Sequence, residues 1–337
     1  MSNRNNTHKY PQVLLLGNGL NQAFDGKSWN DFLKDISTKK EIVDNKMKVE
    51  DINCSEPLKA IIVTDDHVDL AMKKYCKDIM SRSIDEGLAD ILKEILTFGF
   101  DEILTTNYTY EIEKAAVYPK FISENIIKKM MRHTSATKRS ETKYLLHTYN
   151  EVNANLYTNR IWHIHGEARK PDSTVLGHYY YGNLMYKIKK ELEYGGKYLK
   201  AEKSGEVLNL QSWIDAFIMG DIYVLGFGFG LSEFDLWWLL NRKAREKANT
   251  GKIYFYEPKP VGYSEKHNLL NLMHRVSDNQ PLVEILDCGF KMISNSEEKE
   301  VLDGSYKDFY VAVLNDIENK MNSKKMDRSE FYEQNIK

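Results

Sequence analysis

Six short apolar runs in this chain each stop abruptly at a glycine or a polar residue. They are 12–16 (QVLLL), 102–105 (EILT), 161–165 (IWHIH), 221–226 (DIYVLG), 252–257 (KIYFYE) and 283–287 (VEILD). Runs this short, apolar without strict alternation, read as strands buried on both faces. The stretches between them carry helical signals. Residues 28–36 open on Ser28 with Asp31 three positions on, the pattern of a capping box. Residues 85–97 carry apolar side chains at helical spacing. Residues 232–248 open on Ser232 and Asp235, again the capping-box pattern, with Leu231 and Leu236 placed for a hydrophobic staple. Strands alternating with helices predict an α/β fold, a Rossmann-like parallel sheet flanked by helices.

The spacing is too loose for a bare strand–helix–strand array. Helical insertions are expected at about 37–100 and 111–158, within a single domain spanning 1–320, followed by a charged tail at 321–337. The 337 residues are 42% hydrophobic, enough for a sizeable core. The net charge of -2 carries no basic excess, so direct nucleic-acid binding is not expected. Cys54, Cys76 and Cys288 lie far apart and form no CxxC pair, so neither a zinc module nor a disulfide framework is expected. A polar N-terminus and the lack of a long apolar run point to a protein without membrane spans, placed in the cytoplasm.

In open α/β sheets ligands sit beyond the carboxyl ends of the strands. The first run leads into Gly17-Asn18-Gly19-Leu20-Asn21. Glycines there let backbone approach a phosphate, and the helix that follows offers free N–H groups. Gln22 stands where a dehydrogenase fingerprint has its third glycine, and no acidic residue ends a second strand about 20 residues on. A tight turn without a ligand explains the same glycines. The second run ends in Thr105-Thr106-Asn107-Tyr108, the third in His163-Ile164-His165-Gly166. Asn107 offers a donor and an acceptor that suit a water or a ribose hydroxyl. His165 titrates near neutrality and suits a general base. His163 and His165 are read as facing opposite sides of the sheet, so only one is expected in the site and metal chelation by the pair is disfavoured. The fourth run opens a second glycine loop, Gly226-Phe227-Gly228-Phe229-Gly230-Leu231-Ser232. Glu257 ends the fifth, where a carboxylate can accept from ribose hydroxyls.

GNGLN, TTNY, HIHG and GFGFGLSEFD, in this order and each at a strand end, resemble the bacterial sirtuin-like, zinc-free NAD hydrolases of anti-phage defence systems. The resemblance spans roughly residues 12–290 and rests on Gly17–Gly19, Thr106–Asn107, His165–Gly166 and Gly228–Ser232. It implies NAD as the substrate, cleaved at the nicotinamide–ribose bond, with Asn107 and His165 as the catalytic pair. Gly17, Asn18, Gly19, Asn21, Thr106, Gly226, Gly228, Ser232 and Glu257 are then the residues expected along the dinucleotide. Scattered cysteines leave no zinc module, so protein deacylation is disfavoured and water becomes the acceptor. The resemblance further implies an NAD-depleting effector that forms a homo-oligomer, alone or with a separate partner such as a DNA-translocating ATPase or another phage sensor. The alternative is a non-catalytic subunit that binds NAD or ADP-ribose as a signal, or scaffolds an ATPase.

Overall fold

A computed structural model describes residues 9–24, 26–79, 83–118, 131–133, 141–154, 157–193, 196–204, 210–258, 265–288, 292–296, 299–302 and 306–323. Its centre is an eight-stranded sheet. In chain order the strands are β1 (Gln12–Leu16), β2 (Glu102–Thr105), β3 (Met131–His133), β4 (Thr148–Ala154), β5 (Tyr157–His163), β6 (Asp221–Leu225), β7 (Ile253–Tyr256) and β8 (Val283–Leu286). They lie side by side in the order β3-β4-β5-β2-β1-β6-β7-β8. The run from β5 to β8 is parallel, and β3 and β4 join its edge antiparallel. Two further strands, β9 (Met292–Ser296) and β10 (Lys299–Leu302), pair with each other.

Thirteen α-helices are described among these residues. They are α1 (Gly19–Gln22), α2 (Trp29–Ile36), α3 (Lys40–Val43), α4 (Glu56–Val63), α5 (Val68–Ile79), α6 (Glu86–Thr97), α7 (Glu111–Val117), α8 (His178–Leu192), α9 (Lys197–Ser204), α10 (Trp213–Met219), α11 (Phe234–Ala244), α12 (Glu265–Asn271) and α13 (Tyr306–Ser323). None of the described helices is long and apolar enough to cross a membrane.

Successive side chains of a strand point to opposite faces, and both faces here are covered. Val13, Leu15, Leu104, Trp162, Ile222 and Val224 pack against α8, α10 and α11. Leu14, Leu16, Ile103, Ile161, Tyr223 and Leu225 pack against α6, α7 and α13. Between residues 37 and 100 lie α3 to α6, and Ala60, Val63, Met72 and Tyr75 of this stretch join Phe32 and Leu33 of α2 in a further cluster closed by Tyr110, Ala168 and Leu176. Ser28 and Asp31 form the capping box read for α2, and Asp85 caps α6 by accepting from Leu88 N–H.

The helical insertion expected at 111–158 lies partly outside the described residues; among those described, the stretch opens with α7 and then supplies β3, β4 and the start of β5. β4 hides from an apolar reading because two of its buried positions, Thr148 and Asn150, are polar, with Val152 the apolar one. Asn150 is buried and donates to Glu113 Oε1 at 2.7 Å, and Thr148 donates to Glu141 Oε2 at 2.8 Å. Residues 324–337 of the expected tail lie outside the described residues, while Met321–Ser323 still belong to α13.

Lys243 of α11 is fully buried and donates to the carbonyls of Phe217, Ile218 and Gly220 at 3.2, 2.8 and 2.7 Å. It thereby closes the C-terminal end of α10, where carbonyls lack helical partners. Burial pulls its pKa down to about 7, with the Asp221 carboxylate opposing the drop and Arg275 adding to it. Lys243→Met removes the donors and leaves the carbonyls in an apolar setting. A loss of about 1–3 kcal/mol is expected in urea denaturation followed by circular dichroism.

Candidate active site

The topology places four loops at one edge. β1 runs between β2 and β6, and β5 lies beyond β2, all parallel. Their carboxyl ends therefore carry Gly17, Asn107, His165 and the Gly226 loop to the same side. The chain leaves β1 toward β2 on one side and returns through β6 on the other, the switch point at which open α/β sheets form a crevice.

The two glycine loops are packed against each other. Gly17 N–H donates to Leu225 O at 2.9 Å, and Gly19 N–H donates to Gly226 O at 2.7 Å. A Cβ at Gly17 would stand 2.5 Å from Gly226 O and 2.7 Å from Phe227 Cα. Gly226 itself has φ +64°, and a Cβ there would meet Leu20 N at 2.6 Å. These glycines are explained by close backbone approach between two loops, and the N–H groups of Gly17 and Gly19 are already engaged. Gly228 is different. It is exposed, and a Cβ there would meet nothing within 4 Å. Asn18 donates to Lys27 O at 2.8 Å and accepts from Asn21 Nδ2 at 3.2 Å, which ties α1 to the loop before α2.

Thr106 N–H donates to Leu16 O at 3.3 Å, locking the end of β2 to β1. Asn107 follows, partly exposed, with its N–H on Thr105 Oγ1 at 3.1 Å and its Nδ2 reaching Gly17 O at 3.4 Å. The side chain thus stands over the first glycine loop.

The two histidines separate, though not for the reason read from sequence. Residues two apart on a continuing strand share a face. β5 stops at His163, however, and Gly166 turns the chain with φ +94°. His163 stays on the α7 side. Its Nδ1 donates to Asn107 O at 2.8 Å and its Nε2 to Glu113 Oε1 at 3.0 Å. Burial opposes charge on this ring, but Glu113 and these acceptors raise its pKa to about 9. With both nitrogens donating, His163 is a fixed cation that holds the Asn107 backbone, and it has no nitrogen left to act as a base.

His165 swings to the α11 side. It is buried, and its Nε2 pairs with Asp235 Oδ2 at 2.9 Å. Its ring meets Tyr181 edge-on at 5.4 Å. Burial again opposes the charged form, yet Asp235 and, behind it, Glu233 bring the net pKa above the usual histidine value. Nε2–H is committed to the carboxylate, so Nδ1 is the nitrogen that can take a proton. The arrangement is a base oriented by an acid, held in one tautomer.

Asp235 comes from the first turn of α11, where sequence placed it in a capping box with Ser232. That box does not form. The helix starts at Phe234, its N-cap Glu233 has no capping side chain, and Leu231 is half exposed instead of stapled to buried Leu236. Ser232 is partly exposed at the loop end. Glu233 accepts from Tyr181 Oη at 3.1 Å, and burial pushes its pKa up, with His165 pulling back and Asp235 pushing further. Sequence reasoning missed both acids as site residues. The available signal was their position, directly after a glycine loop at a strand end.

Glu257 stands one strand further out, beyond β7, already engaged by two donors. Lys266 Nζ reaches its Oε2 at 2.6 Å, and His267 Nε2 pairs with its Oε1. Lys266 also donates to Gly228 O at 3.1 Å, linking this carboxylate to the second glycine loop. A cavity of about 490 Å³ lined by Glu141, Lys143, Tyr144, His147, Lys187 and Glu191, among others, shares none of its lining with these residues. No family model matches the chain, and no curated protein matches it.

Proposed function

We propose that the chain is an NAD hydrolase that cleaves the nicotinamide–ribose bond to give nicotinamide and ADP-ribose. The observation that carries this reading is the His165–Asp235 pair at the sheet edge that also holds Asn107 and both glycine loops. A base with one nitrogen fixed by a carboxylate and the other left to accept a proton is what activation of water requires. Asn107, its carbonyl held by His163 and its amide by Gly17, is the residue assigned to hold that water or a ribose hydroxyl. As nicotinamide leaves, positive charge grows at the ribose carbon. Water adds, its proton passes to His165 Nδ1, and Asp235 stabilises the resulting imidazolium. Gly228, open to solvent within the second loop, is the position where backbone can approach the pyrophosphate. The resemblance in motif order adds the setting, a cytoplasmic effector that depletes NAD in bacterial anti-phage defence, as a homo-oligomer or with a separate sensor.

The test is nicotinamide release from NAD by the purified chain, measured by chromatography. ADP-ribose must appear in equal amount. Binding of NAD without release would favour the non-catalytic signal-binding subunit instead. Asp235→Asn sharpens the test. An amide at this position presents an N–H to Nε2, which favours the wrong tautomer and leaves Nδ1 protonated. The rate at saturating NAD is expected to fall on the order of 10²-fold or more, with little change in KM.

A further inference from the structure

We propose that His165, Glu233 and Asp235 form a binding site for one divalent transition-metal ion. One ligand atom from each, an imidazole nitrogen and two carboxylate oxygens, lies within 4.8 Å of the other two. The supports on both sides are fixed. His165 is held by Val175 N–H on its carbonyl at 2.8 Å, and the start of α11 by Glu233 N–H and Trp237 Nε1 on Gly230 O, both at 3.0 Å.

A second observation points to a cation. Asp235 is fully buried, and its Oδ1 has no hydrogen-bond partner. Both oxygens belong to one carboxylate, and the other faces His165, so the orphan oxygen sits at the same cluster. Among the described residues neither carboxylate is paired with a lysine or an arginine; their partners are His165 and the Tyr181 hydroxyl. A fully buried aspartate with a partly exposed glutamate beside one imidazole leaves negative charge poorly compensated, and a bound cation supplies the compensation.

The donor set selects the class of ion. Calcium and magnesium favour all-oxygen shells, while a nitrogen with two carboxylates suits zinc, manganese or ferrous iron. Metal–ligand bonds of about 2.0–2.2 Å require the three donors to close to roughly 3.3 Å. Glu233, partly exposed at the end of a loop, has the freedom to make that move. Three protein ligands leave at least one position for water.

Occupancy has a consequence that rests on the reading of His165 as a base. An ion on the imidazole displaces the Asp235 hydrogen bond and disfavours a second proton on the ring. Metal binding then silences hydrolysis.

The experiment uses the full chain, freed of metal by EDTA and dialysis, titrated with zinc sulfate by calorimetry and with cobalt chloride by visible absorption. The expected result is one saturable ion per chain and a visible cobalt band. Glu233→Gln and Asp235→Asn should each weaken zinc binding at least tenfold and remove the band. Thermal melts report whether each variant is folded, and Glu233→Gln decides the matter if Asp235→Asn is not. Absence of saturable binding, or binding that a folded Glu233→Gln variant leaves unchanged, overturns the site. Zinc should also inhibit nicotinamide release by the wild type, with EDTA restoring it. If zinc binds through these residues but the metal-free protein releases no nicotinamide, the hydrolase reading fails and the metal site stands. If hydrolysis proceeds without saturable zinc binding, the reverse holds.

Discussion

Changing His165 to alanine is expected to slow nicotinamide release from NAD by about 10²–10⁴-fold, the range for loss of one positioned acid–base group. Asn107→Ala is expected to fall in the same range. His165 has its Nε2 on Asp235 and its ring against Tyr181, so alanine removes the base and leaves the carboxylate without a partner. The fold should survive, because the sheet ends before this residue. Melting curves of the variants alongside the wild type check that. His163→Ala is the instructive contrast. It should lower stability, because Glu113 loses its buried cation, and it should lower activity only through the Asn107 backbone that it holds. Parental rates in both Asn107→Ala and His165→Ala would remove the catalytic assignment.

The second large effect is one of stability. Gly226→Ala is expected to cost about 2–5 kcal/mol. A positive φ at a residue with a Cβ costs about 1–2 kcal/mol, and forcing an atom into a packed contact costs about 1–3 kcal/mol. Here φ is +64° and the contact is the backbone nitrogen of Leu20 at 2.6 Å, which has no flexible side chain to yield. Gly228→Ala, two residues on, meets nothing and should change stability by less than about 1 kcal/mol. Urea denaturation of the two variants separates them. If Gly228 lies along the pyrophosphate, its alanine variant should instead raise KM for NAD.

Much of this architecture was legible because a parallel sheet buried on both faces leaves an unmistakable trace. The runs 12–16, 102–105, 221–226, 252–257 and 283–287 match β1, β2, β6, β7 and β8 to within a residue at either end. β4 left no such trace, because Thr148 and Asn150 turn polar groups inward against Glu141 and Glu113. β5 was read too short at its start, where buried Asn159 donates to Leu96 O, and too long at its end, where Gly166 turns the chain. At the carboxyl edge of the sheet, Asn107 and His165 were read at strand ends, and they do follow directly on β2 and β5. Asp235 was misread because Ser-x-x-Asp before an apolar stretch has two uses. The local one is a helix cap, and the distant one here is an imidazole 70 residues earlier. Only the fold decides between them. The pairing of Glu257 with Lys266 and His267 has the same character, since no periodicity announces partners 9 and 10 residues apart.

The contact between the two glycine loops also sets when the molecule can work. β1 takes its place between β2 and β6, and a hydrogen bond between Gln12 and Asp221 spans 209 positions of sequence. During synthesis β1 therefore waits, with one hydrogen-bonding edge unoccupied, until the chain as far as β6 has left the ribosome. His165 emerges before the aspartate that fixes its tautomer. A nascent or prematurely terminated chain holds the imidazole and the amide but not the partner that makes them competent. On the proposed reading, a chain that stops short of α11 lacks the carboxylate that orients His165.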